Sequence, residues 1–201
     1  KYDKKKFKIE NFSLKEIWNN DSINDKEFKN LNNFYWFFSL DLKSSKQEVQ
    51  SVISNWIKKN YSYNDKCWSY DLIAKRIISW LSNHNLSYDG SDQDYKSDFN
   101  KIILKQTNHL VNEVNKSKTL DDKLICCASI ILVGLCYQEE KKYLSFGISL
   151  LKKITKLSLE NSGFPKSRNI KQLIFYLKYF ILIREWFKES QNNVPEHVDE
   201  T

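Results

Sequence analysis

From residue 45 onward, apolar side chains recur at three- and four-residue intervals, the period of helices that bury one face. Ser45-Lys46-Gln47-Glu48 reads as a capping box, and Val49, Val52, Ile53, Trp56 and Ile57 follow it at helical spacing. Residues 60–66 read as a loop. A second amphipathic helix carries Leu72, Ile73, Ile77, Trp80 and Leu81 and stops before Tyr88-Asp89-Gly90. Ser91-Asp92-Gln93-Asp94 caps a third, which turns Phe99, Ile102, Ile103, Leu110 and Val114 inward.

Thr119-Leu120-Asp121-Asp122 caps a fourth helix that is apolar nearly all round from Leu124 to Tyr137, the pattern of a helix sheathed by others. A fifth, from about Glu139 to Leu159, sets Leu144, Ile148 and Leu151 on one face and lysines opposite. A sixth, about Ile170 to Ser190, carries Phe175, Leu177, Phe180, Ile181 and Trp186, and another begins near Pro195. Upstream, the aromatic run from Phe34 to Leu40 is predicted to be a buried helix. Residues 1–30 are read as an extended lead-in, anchored by Phe7, Phe12, Ile17 and Trp18, and residues 31–201 as the folded domain.

Composition supports this picture. With 4 Gly and 2 Pro in 201 residues there is too little turn chemistry for a β-sandwich or barrel, and no Gly-rich phosphate cradle can be assembled. The expectation is an all-α fold. Successive helical hairpins, with an all-apolar helix beside amphipathic ones, imply an inner and an outer layer, which either an open solenoid or an α/α toroid satisfies. The absence of a strict 33- or 34-residue period argues for the toroid, an incomplete barrel of antiparallel helical hairpins. No apolar stretch reaches the roughly eighteen residues of a membrane span. The chain lacks methionine, opens in lysines and closes at a helix start, which reads as an excerpt of a longer protein.

Charge narrows the partners without choosing among them. A formal net charge of +7 suits a polyanion, whether nucleic acid, acidic polysaccharide or membrane surface. The lysines are scattered over solvent faces and no nucleic-acid module is present, so no nucleic-acid partner is expected. Cys67, Cys126, Cys127 and Cys136 show no CxxC spacing and read as buried free thiols, compatible with a reducing compartment. His84, His109 and His197 lack metal-ligand spacing, and neither HExxH nor GxSxG occurs; no metal, cofactor or nucleophilic triad is expected.

The stretch from Cys67 to Leu81 holds the most suggestive chemistry. Trp68, Tyr70, Arg76 and Trp80 bring amphipathic rings and a fixed cation to one helix start, groups that stack on sugars and grip their carboxylates. The structural alternative makes Trp80 core and Arg76 a surface charge. A second segment, Ser162-Gly163-Phe164-Pro165-Lys166-Ser167-Arg168-Asn169, is the one loop that combines Gly and Pro.

Trp68, Tyr70, Ala74, Arg76, Trp80 and Leu81 resemble the W-x-x-Y-x-x-A-x-R-x-x-x-W-L pattern of the heparinase II/III family, bacterial polysaccharide lyases with an N-terminal α/α toroid; Tyr70 sits one position short of the tightest spacing. The aromatic run from Phe34 to Leu40 and Gly163 with Ser167-Arg168-Asn169 resemble two further family segments, with Ile170 where a proline is usual. The resemblance runs from about residue 30 to the end. It implies β-elimination at a uronic acid of an acidic polysaccharide, without a cofactor. Asn169 would neutralise the carboxylate with Arg168 as a second donor, or else simply cap the helix that starts at Ile170. Trp68, Tyr70, Arg76 and Lys166 would bind substrate. The family's catalytic Tyr and a β-sandwich His would lie beyond residue 201, leaving this excerpt inactive, and the family's compartment would be the periplasm. Phe164, Pro165 and Lys166 stand where several relatives place a His. The alternative is a non-catalytic helical scaffold that binds glycan or protein.

Overall fold

The computed structural model describes residues 18, 24–40, 45–160 and 162–199. Among them the secondary structure is helical, with one isolated bridge between Leu159 and Pro165. The helices are α1 (Asp25–Asn32), α2 (Lys46–Asn60), α3 (Tyr70–Ser82), α4 (His84–Ser87), α5 (Gln93–Glu113), α6 (Leu120–Cys136), α7 (Lys141–Ser158), α8 (Ile170–Glu189) and α9 (Glu196–Asp199). Among the described residues no helix is long and apolar enough to cross a membrane.

The expected N-caps form, although at Ser45 only the serine's half of the expected box is made. Ser45 Oγ accepts from Glu48 N at 3.3 Å, Asp92 Oδ1 from Tyr95 N at 2.7 Å and Thr119 Oγ1 from Asp122 N at 3.1 Å, each satisfying an amide that the helix itself leaves without a partner. Two features upstream differ from expectation. Inside the stretch read as extended, α1 is started by a reciprocal box in which Asn24 accepts from Glu27 N and Glu27 from Asn24 N. The anchors Phe7, Phe12 and Ile17 lie outside the described residues.

The aromatic run is a 3₁₀ turn, Tyr35–Ser39, rather than an α-helix. Phe34 ends the helical path at φ 58°, and Asn33 Oδ1 accepts from Tyr35 N at 2.8 Å, which restarts the chain in a new direction. Phe34 and Phe37 both enter the core and meet edge to face at 5.2 Å. Ser79 Oγ donates to the carbonyl of Phe34, pinning the turn to α3.

Helix α6 is the hub. It packs against α3, α5, α7 and α8, and twelve of its residues, Leu124 to Leu135, are buried. Its closest neighbour is α7, and two glycines allow the approach. A Cβ on Gly134 would sit 2.5 Å from the Leu144 backbone, and one on Gly147 would sit 2.5 Å from Ile131 Cγ1. α5 is tied to this pair by Tyr143 Oη donating to Asn108 Oδ1 and Tyr137 Oη to Asn100 Oδ1, both at 2.8 Å. α2 lies against α4 and α5, away from α6.

Candidate functional site

The start of α3 is built inward. Trp68 is buried and its Nε1 donates to Asn60 O at 3.1 Å, so the indole closes the end of α2 instead of offering a face to a sugar. Tyr70, half-buried, packs against the core, and its carbonyl accepts from Cys126 Sγ of α6 at 3.7 Å. Arg76 is 0% exposed, neither a rim residue nor a surface charge. Its Nε donates to Asn32 O and its Nη2 to Cys67 O, both at 2.9 Å, while the guanidinium carbon lies 3.8 Å above the Trp56 ring. Trp56 Nε1 in turn donates to Asn32 Oδ1 at 2.8 Å. Burial lowers the Arg76 pKa to about 9, which still leaves it charged at neutral pH. A planar fork that can satisfy two carbonyls while stacking on an indole explains arginine here. Trp80 is core, against Phe34, Trp56 and Phe99.

The Gly/Pro loop uses its polar groups on itself. Asn169 is the N-cap of α8, its Oδ1 accepting from Lys171 N at 3.0 Å. Arg168, held at φ 56°, pairs with Glu160 at 2.9 Å. Lys166 Nζ donates to Lys156 O at 2.8 Å, across the bridge formed by Leu159 and Pro165. Gln172 Nε2 fixes the following turn to Asp121 Oδ1 of α6 at 2.8 Å.

The loop and the α3 start are thus both moored to the first half of α6, through Asp121 and Cys126 respectively. Five residues separate the moorings, about 7.5 Å along the axis and about 140° around it. The two sets therefore sit on different flanks of one helix. No hydrogen bond or ion pair joins them among the described residues. Two surface grooves are lined elsewhere: one of about 380 Å³ by Gln50, Ser54, Asp92, Tyr95 and Asp98, another of about 370 Å³ by Asp25, Lys29, Asn33, Asp71 and Lys75. Neither is lined by Trp68, Tyr70, Arg76, Lys166, Arg168 or Asn169.

One open aromatic surface is one that the spacing of residues did not single out. Tyr61 and Tyr63 project from the loop after α2 at 41% and 59% exposure. The His109 ring of α5 lies 5.4 Å from Tyr63 and 5.5 Å from Trp68. Lys105 Nζ stands 4.0 Å above the Tyr61 ring and donates to its carbonyl. Burial draws the His109 pKa below its ordinary value, which favours the uncharged ring. This shelf can stack against a flat or sugar-like face. It carries no base aligned on a nucleophile. Its only mark in the sequence is a pair of tyrosines two apart in a segment read as loop.

The four cysteines are free thiols; Cys67, Cys126 and Cys127 are buried as expected, whereas Cys136, at the end of α6, is exposed. Burial pushes the thiols of Cys67, Cys126 and Cys127 above their ordinary value, so none of these three is primed as a thiolate. Among the described residues no cluster of three His, Cys, Asp or Glu could hold a metal ion.

The chain is 30% identical over 209 aligned positions to Protein Ycf2 of Physcomitrium patens, a match covering 96% of this chain and 8% of that protein. It therefore spans less than a tenth of the length of this curated relative. No described protein family matches it, and no solved structure does.

Proposed function

We propose that this chain is a non-catalytic α-helical scaffold that presents its surface to a macromolecular partner. The observation behind this reading is that the polar groups a lyase site would need to converge are engaged in holding the fold: Arg76 in the core, Asn169 as a cap, Arg168 on Glu160 and Lys166 on a carbonyl. Helix α6 meets α3, α5, α7 and α8 while α2 meets α5, contacts that suit stacked helical hairpins, whether left open or curled into a toroid. The match to a small part of a much longer protein is what a structural segment of a large chain would give.

The polysaccharide-lyase reading retains one supporting observation, that the Arg168–Asn169 loop and the Tyr70 region flank the same half of α6. One assay separates the two. The full-length protein that carries this chain is incubated with a panel of uronate-containing polysaccharides and the absorbance of unsaturated product is followed. The scaffold reading expects no product, and Asn169→Ala lowering stability by about 1 kcal/mol as an ordinary cap loss. Product that disappears in Asn169→Ala while the fold survives would establish the lyase.

A further inference from the structure

The outer face of α8 carries a seam with no cover. Ile170, Ile174, Leu177 and Ile181 are 68%, 63%, 43% and 57% exposed, on a helix whose Tyr176, Tyr179, Phe180, Ile183, Trp186 and Phe187 are buried. The steps between the four are four, three and four residues, the alternation of positions a and d in a heptad. At about 100° per residue they fall within roughly 60° of arc. A strip that narrow is the mark of a seam for one partner helix, since a helix facing a core presents a wider apolar face.

One border of the strip is cationic. Lys171 and Lys178 lie along one edge beside the aliphatic residues, with Lys178 over the rings of Tyr35 and Tyr179. Arg184 and Lys188 continue the same three- and four-residue steps beyond Ile181, where Glu185 pairs with Lys188 at 3.0 Å. Next to the aliphatic residues themselves, therefore, the facing charge is positive.

We propose that this seam docks an amphipathic helix of a partner protein, with aliphatic residues at a and d and Glu or Asp at the positions facing Lys171 and Lys178. Two other occupants fit less well. A second copy would set these lysines against a chain of net charge +7. A lipid surface favours a broad apolar face with aromatic anchors, and the α8 aromatics point into the core. The proposal names the partner chemistry of the scaffold reading and rests on that reading for its purpose. The two fail separately: lyase activity with intact docking would remove the scaffold role alone, and absent docking would leave that role standing.

The test uses labelled synthetic peptides of about three heptads with Leu at a and d, and Glu or Lys at e and g. Fluorescence anisotropy measures binding to the whole chain, sedimentation its self-association, and flotation its binding to anionic vesicles. Expected are binding of the Glu peptide at least about tenfold tighter than the Lys peptide, loss of binding in Ile174→Asp with Leu177→Asp, and a reversed preference in Lys171→Glu with Lys178→Glu. The charge reversal alters exposed positions and keeps the test valid if the aspartate variant misfolds. No binding of the Glu peptide, equal binding of both, self-association through the seam, or vesicle binding that requires it would each overturn the proposal.

Discussion

Helices α6 and α8 look alike as strings of residues, each apolar on nearly every side, and the structure treats them differently. α6 is enclosed by α3, α5, α7 and α8, with a run from Leu124 to Leu135 buried. α8 meets α6 on one side and α9 near its end, and leaves Ile170, Ile174, Leu177 and Ile181 in solvent. A helix apolar all round is a request for neighbours on all sides. In α6 the same chain answers the request; in α8 it answers half. The unanswered half keeps a regular four-three-four spacing, whereas scattered surface leucines would show none.

The sharpest way to break the comparison is to remove matched side chains from the two helices. Ile131 of α6 is 0% exposed, and its Cγ1 fills the space that Gly147 of α7 leaves by having no side chain. Ile131→Ala would open a void that no neighbour can enter, because the opposing residue is already a glycine. The expected loss is about 3–5 kcal/mol of unfolding free energy, in the upper part of the range for aliphatic truncations, read by urea denaturation. A loss below about 1 kcal/mol would show that α6 and α7 can close on the gap and that α6 is less rigidly enclosed than the structure has it.

A second, smaller effect tests whether the cation at the start of α3 belongs to the fold. Arg76→Lys keeps the charge and loses the planar fork that reaches Asn32 O and Cys67 O together and lies on Trp56. Stability should fall by about 1–3 kcal/mol, the cost of leaving a buried carbonyl without its donor, and binding to acidic polysaccharide in a pull-down should not change. If stability held and polysaccharide binding fell, Arg76 would be a ligand group and the buried cage an incidental resting place.

Arg76 also marks where reading the chain stops working. Local rules carried the caps at Ser45, Asp92 and Thr119, the enclosed nature of α6 and the start of α8 at Ile170, since each depends on residues within one turn of each other. The box of Asn24 and Glu27 was equally local, yet it stood in a polar stretch with too few apolar positions to suggest a helix. The partners of Arg76 come from elsewhere: Asn32 is 44 residues away, and Trp56 belongs to another helix. Spacing along α3 cannot show that a charge is swallowed. The His109 shelf failed for the same reason, because Tyr63 and Trp68 reach it across a turn and a second helix. Asn169 stood open between cap and ligand, and the bond to Lys171 N shows that the cap is made.

The smallest expected effect is the most telling about α8. Ile174→Ala removes the same atoms as the α6 substitution, from a side chain 63% exposed. Little of the lost surface was sheltered from water, and alanine is the better helix former by a few tenths of a kcal/mol. The two terms oppose each other, so unfolding free energy should change by less than about 0.5 kcal/mol. A loss of about 2 kcal/mol or more would mean that the residue is covered in solution after all, by self-association or by another part of the chain, and concentration dependence of the midpoint would tell these apart. Near-neutrality, beside the large loss at Ile131, would leave the strip as apolar surface that the fold does not need. That strip is the surface which the proposed partner helix would cover.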